Sequence, residues 1–226
     1  MKAVFIHDTF YSRHPESGEV FGFGTFPYEL WAERFLPRFQ SITVIGREKP
    51  FEPQDARTAM RSSGPGVRHV LLANINTPAR RIFGSGEATE KIREEVEEAD
   101  AVIVRGPSEL GMIAAQIVKL TMINKTVAIE MSGCAFDHTW HHGSITGKFY
   151  APVKYLRARR MVNNADAVIY VTEKFLQHRY PARGTVANAS NVEIEAPSSH
   201  ILEKRLQRID ETAPLTFGLI GNFGNK

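Results

Sequence analysis

A single cysteine, Cys134, stands in 226 residues, so no internal disulfide framework holds this chain together, and its cysteine usage suits a reducing compartment. No apolar run approaches the roughly 20 residues needed to span a bilayer. Met1 to Ile6 carries one cation, Lys2, and no long apolar stretch follows it; it reads as the start of a strand and not as a signal peptide. Nor is there a large excess of one charge. Lys and Arg number 28 against 25 Asp and Glu, a net charge of +3, so the pI near 9.0 calls for no nucleic-acid partner. Hydrophobic residues at 42% and charged residues at 23% exclude disorder as the default and allow a sizeable core. The expectation is a cytoplasmic protein that meets a membrane only at its surface.

What the chain does have is a repeated design of strand, turn and capped helix. In Ala165–Pro181 (ADAVIYVTEKFLQHRYP) the run Val168–Val171 reads as a buried parallel strand, Thr172 as a helix N-cap and Glu173 as an acidic first-turn residue. Ala99–Val118 (ADAVIVRGPSELGMIAAQIV) repeats it, with Ala101–Val104 as strand and Ser108 as N-cap of a helix reaching Ile123. Further strands are expected at Lys2–His7, Ser41–Ile45, His69–Ala73, Thr126–Met131 and Thr185–Ala187, and helices at Thr25–Phe35, Gly86–Glu98 and Ala151–Asn164, the last with Pro152 in its first turn. A long loop, Ser132–Tyr150, follows the fifth strand. Alternating strands and helices predict an α/β fold: a Rossmann-like, doubly wound, mostly parallel sheet, with ligands at the carboxyl edge of its strands.

That edge nominates Asp8, Arg105, Glu130, Asp137 and His138, which all follow or end expected strands and should surround one cleft. Arg105 can meet a phosphate or pair with Glu130. Asp137 or His138 can orient or deprotonate a hydroxyl, or simply hold the loop by hydrogen bonds. Cys134, His138 and His142 are spaced four apart as metal ligands can be, but Gly133, Gly143 and the lack of a second cluster argue against a metal. Lys154, Arg157, Arg159 and Arg160, beside Tyr155, Leu156 and Met161, form a basic helix that suits either water or anionic lipid.

The ordered motifs HDTFY (His7–Tyr11), GEVFGFGTFPYEL (Gly18–Leu30), VRGPSELG (Val104–Gly111) and AIEMSGCAFDHTW (Ala128–Trp140), the span from APVKYL to VTEKFLQHRYP, and the final GLIGNFGNK resemble the amino-terminal, acceptor-side half of a GT-B glycosyltransferase. The similar group is the retaining one that builds capsular and lipopolysaccharide polymers from nucleotide sugars. The resemblance implies a first domain over 1–191, a linker over 192–214, and over 215–226 the first strand and loop of a donor-binding domain, as in a piece of a longer protein. It implies a nucleotide-sugar donor, a glycan or lipid-linked acceptor, no nucleic acid, no cofactor and no metal, and a fragment inactive alone. It sets Gly22, Gly24 and Thr25, with Gly221 and Asn222, beside the donor phosphates. The family's usual Gly-Gly pair is absent from the first loop, and its paired-glutamate motif lies in the second domain. The alternative is a non-catalytic α/β module that binds a ligand or a protein. A nicotinamide reductase is weaker, because Gly218, Gly221 and Gly224 are spaced GxxGxxG.

Overall fold

The structure, a computed structural model, describes residues 1–23, 26–73, 85–121, 125–141, 144–190 and 198–210. By contacts the chain divides into Met1–Ala189 and Ser190–Lys226. The first unit contains β1 (Lys2–Arg13), β2 (Val20–Gly22), α1 (Tyr28–Leu30, running into a π-helical turn at Trp31–Phe35), β3 (Ser41–Glu48), α2 (Asp55–Thr58), β4 (Met60–Arg61), β5 (Val67–Leu72), α3 (Ser85–Glu98), β6 (Ala101–Gly106), α4 (Glu109–Thr121), β7 (Thr126–Met131), α5 (Ala135–Trp140), α6 (Ile145–Asn163), β8 (Ala167–Tyr170), α7 (Phe175–Arg179) and β9 (Thr185–Asn188). In the second unit the described element is α8 (Ser199–Asp210).

The parallel strands run in the order β5-β3-β1-β6-β7-β8-β9; β2 pairs antiparallel with the last residues of β1, Tyr11 to Arg13, and β4 with β2. From β1 the chain winds outward through β3 to β5, then returns to the other side of β1 as β6. The winding therefore reverses between β1 and β6, and a crevice opens there past their carboxyl ends. The doubly wound, mostly parallel sheet expected from the strand–helix alternation is the fold observed.

Alternation along the strands builds a core on each face. Val4, Ile6, Val102, Val104, Val127, Ile129 and Val168 point to one side, where α3, α4 and α6 cover them with Ile92, Val96, Leu110, Ile117, Met161 and Val162. Ala3, Phe5, Ile42, Val44 and Ile103 point to the other, against Phe26, Trp31 and Phe35. Gly111 lets α4 lie close to β6, because a Cβ there would stand 2.2 Å from Val104 Cγ1.

Three boundaries differ from expectation in ways that matter. β1 continues to Arg13, so His7 and Asp8 lie not at its end but at an irregularity between Ile6 and Phe10, where pairing to β6 has stopped and pairing to β3 resumes. Gly22 belongs to a strand and not to an open loop, since it pairs with Tyr11 on one side and Met60 on the other. The loop 132–150 contains α5 and the start of α6; Pro152 is consequently inside α6 and not in its first turn. An exposed N-cap, Ser144, which accepts from Gly147 N–H at 3.0 Å, allows the earlier start.

Candidate active site at the carboxyl edge

At the reversal between β1 and β6 lies a cleft of about 520 Å³ lined by His7, Asp8, Thr9, Arg47, Pro107, Ser132, Gly133, Cys134, His138 and Lys154. Its floor is the entry to α4. Ser108 caps that helix by accepting from Gly111 N–H at 3.0 Å. Asp8, reaching over from β1, accepts from Glu109 N–H at 2.7 Å and Leu110 N–H at 3.1 Å. The positive end of α4, which in many open sheets receives a ligand phosphate, is here occupied by the chain's own carboxylate. Arg47, buried at the end of β3, completes the knot with Nη2 2.7 Å from Asp8 Oδ2.

Next to Asp8, His7 is held to Thr9 through Nδ1. Burial pushes the His7 imidazole down to about 4 from 6.5, and Arg105 and Arg47 push the same way while Asp8 opposes them. At neutral pH this ring is uncharged and faces a cleft that holds the charges of Asp8, Arg47 and Lys154.

The opposite wall is α5. Tyr180, fully buried, accepts from Ala135 N–H at 2.9 Å and so holds the helix entry; its own carbonyl accepts from Tyr170 Oη at 2.6 Å. Burial first, and Cys134 second, raise the Tyr180 hydroxyl above its ordinary range. Arg179 donates to Cys134 Sγ at 3.1 Å and to Asp137 Oδ1 at 3.0 Å. Asp137 is thereby tied to α7, whereas His138, the next residue, lines the cleft.

Of the residues expected at one cleft, Asp8 and His138 are brought together and two others are not. Arg105 pairs with Glu130 at 3.0 Å, Glu130 also receives Arg34, and the Arg105 guanidinium lies 5.4 Å from the Phe26 ring centre. The reason is strand period: Arg105 and Glu130 stand in register and two residues on from Ile103 and Ala128, which pack on the far face. Phe26 there has φ 63°, a left-handed conformation costly for a large side chain. Gly24, Thr25, His142, Gly221 and Asn222 lie outside the described residues.

Sequence reasoning missed Arg47, Thr9, Ser132 and Lys154. Arg47 was legible in principle, as the only cation inside SITVIGRE. Lys154 was not: it reads as one of four helix cations, yet it is buried with Nζ 3.9 Å from Glu109 Oε1, and Arg157 lies 2.6 Å from Glu109 Oε2. Met161 is buried as well, so the basic face expected on this helix is divided between its two sides.

No family model matches the chain. It is similar to Protein CapJ of Staphylococcus aureus, at 32% identity over 224 residues, which takes in 98% of this chain and 53% of that protein. The chain thus spans about half the length of this homologue. Among solved structures, sucrose-phosphate synthase from Thermosynechococcus elongatus superposes with a TM-score of 0.52 and 10% identity over 95% of this chain and 53% of that one, a likeness of fold alone. A provisionally assigned UDP-N-acetylglucosamine 2-epimerase from Listeria monocytogenes matches at a TM-score of 0.45 and 16% identity over 79% of this chain and 41% of that one, too low to argue from. The fold is therefore a Rossmann-like α/β domain matching half of a GT-B-like chain.

Proposed function

We propose that this chain is the acceptor-side half of a glycosyltransferase that moves a sugar from a nucleotide-sugar donor to a hydroxyl of a glycan or lipid-linked acceptor, in the making of a polysaccharide. The observation that carries the reading is the cleft at the reversal of the sheet, lined by a neutral His7, by His138 and by the Ser132 and Thr9 hydroxyls. Short polar side chains and an imidazole suit a polyhydroxylated ligand, which binds through many exchanges of donor and acceptor.

In this reading His138 accepts the proton of the acceptor hydroxyl as its oxygen bonds to the sugar's anomeric carbon, while the bond from that carbon to the diphosphate oxygen breaks and the nucleoside diphosphate leaves with the bonding pair. Asp137 is a positioning residue that ties α5 to Arg179. Arg47 and Lys154 favour negative charge near the cleft, and Asp8 keeps Arg47 in place. Gly24, Thr25, Gly221 and Asn222 remain the candidates for the diphosphate side. No cofactor or metal is assigned, and the working compartment is the cytoplasm, with peripheral contact to the membrane.

The test is transfer of labelled sugar from a panel of nucleotide sugars to glycan and lipid-linked acceptors by the longest form of the protein that expresses. His138→Ala should lower the transfer rate by about 10²–10⁴ while leaving the fold intact. A rate unchanged by that substitution removes the assignment of His138, and the absence of transfer from every donor removes the sugar-transfer reading. A second reading, a ligand-binding module without chemistry, draws on one fact: Asp8, Glu130 and Asp137 are each engaged in an ion pair within the chain. It predicts glycan binding that survives His138→Ala and no turnover.

A further inference from the structure

Helix α6 has two different sides. Toward the sheet it buries Ala151, Lys154, Ala158, Met161 and Val162. On the opposite side stand Ile145 (74% exposed), Phe149 (81%), Val153 (49%) and Leu156 (53%). Their spacing of four, four and three residues sets them in one stripe along the helix. Lys148, Arg159 and Arg160 are exposed on that same side. The helix sequence ITGKFYAPVKYLRARRMVN contains no Asp or Glu. Just before its start, Trp140 is 39% exposed and stacks on Phe136 at 5.3 Å between ring centres.

From this arrangement we infer that the outer side of α6 is a docking surface for an anionic phospholipid bilayer, with Ile145, Phe149, Val153 and Leu156 entering the headgroup–acyl boundary while Lys148, Arg159 and Arg160 meet the lipid phosphates. The choice of lipid over a protein partner follows from charge. An apolar stripe bordered by cations alone, without one carboxylate on 19 residues of helix, is complementary to a negative plane and repels a basic partner. The helix lies parallel to the bilayer and does not enter it, since among the described residues no helix is long and apolar enough to cross a membrane. Lys154, on the inner side of the same helix, lines the cleft, so docking would hold the cleft about one helix diameter, roughly 10 Å, behind the membrane surface. The inference stands on the surface of α6 and does not depend on sugar transfer.

The test is co-sedimentation of the 226-residue chain with vesicles of phosphatidylcholine alone or mixed with phosphatidylglycerol, at low and high salt. Binding should require the anionic lipid and weaken with salt. Each cation is worth roughly fivefold, so Lys148→Gln, Arg159→Gln and Arg160→Gln together should weaken binding on the order of a hundredfold. Ile145→Ser with Phe149→Ser should abolish it. Because the other tryptophan, Trp31, is fully buried, a blue shift on vesicle addition should report Trp140. Leu202→Ser with Leu206→Ser, which removes exposed apolar residues of α8, should change nothing. The inference is overturned if the chain ignores anionic vesicles, if either set of α6 substitutions leaves binding intact, if the α8 substitutions abolish it, or if the α6 substitutions instead dissolve a self-association seen by sedimentation.

Discussion

The pentapeptide ADAVI occurs at Ala99–Ile103 and again at Ala165–Ile169, and both copies open in the same way. Asp100 accepts from the Lys2 backbone N–H at 2.6 Å, and Asp166 from that of Val127 at 2.8 Å, so each aspartate clips the start of the neighbouring strand. At their far ends the copies part. The first turns at Pro107 into a helix of 13 residues whose entry holds Ser108 and Asp8 and floors the cleft. The second bends for four residues into a helix of 5, where Thr172 accepts from Leu176 N–H at 3.0 Å and Tyr180 and Arg179 reach back to brace α5. One copy borders the candidate cleft and the other supports its wall. The difference arises from neighbours: the first copy lies beside β1, where the winding reverses, and the second lies between β7 and β9, where it does not.

The sharpest way to break this comparison is to remove the cap of each copy. Asp8→Ala leaves Arg47 buried without its carboxylate and frees two helix N–H groups. It should cost about 3–5 kcal/mol of stability by urea unfolding, against about 1 kcal/mol for Thr172→Val. Equal costs would mean that the first copy is not the more committed junction.

Acid should strike the β1 side next. His7 titrates at about 4, and His69, which is buried against Ser62 and repelled by Arg13, at about 3, both below the ordinary 6.5. As pH falls the unfolded chain takes up protons first, so the native state loses stability from about pH 6.5 downward, until the folded-state values are passed. The melting temperature should fall between pH 7 and 5, and His69→Asn should flatten that fall. A profile that is flat in the parent chain would contradict the neutral imidazoles of His7 and His69.

Gly111→Ala should destabilise by about 1–3 kcal/mol, because its Cβ meets Val104 within the first copy. Smallest of all, Asp100→Ala and Asp166→Ala should each cost about 0.5–1 kcal/mol and match one another in chemical denaturation, since their contacts are alike. A large disparity would show that even the shared beginnings of the two copies are used differently.

Much of the fold was legible because it rests on local rules. Thr126–Met131 was expected and found at the same residues, and Ser108 is the cap its position before ELGMIAAQIV predicts. Thr172 was right in its bond and wrong in its place, since its hydroxyl serves Leu176 while the helix begins at Phe175. The site was legible only in part. Asp8 and His138 follow the strands the hydrophobic pattern marks out, and both line the cleft, although Asp8 stands inside the longer β1 and His138 on α5. Arg105 and Glu130 sit at strand ends but face the other way, a consequence of register that one strand read by itself does not display.

By itself the sequence determined that the chain is an α/β protein, which strand starts and helix caps it uses, and which polar residues are candidates at the carboxyl edge, because hydrophobic period and hydrogen-bonding side chains act over a few residues. Tertiary structure alone decided that Asp8 closes the α4 terminus from 101 residues away in sequence. It also decided that Lys154 turns inward while Arg159 and Arg160 stay out, and that the apolar stripe of α6 is left uncovered. These follow from which strands become neighbours and which side of a helix meets the sheet, and the energy that settles them is distributed over the whole core.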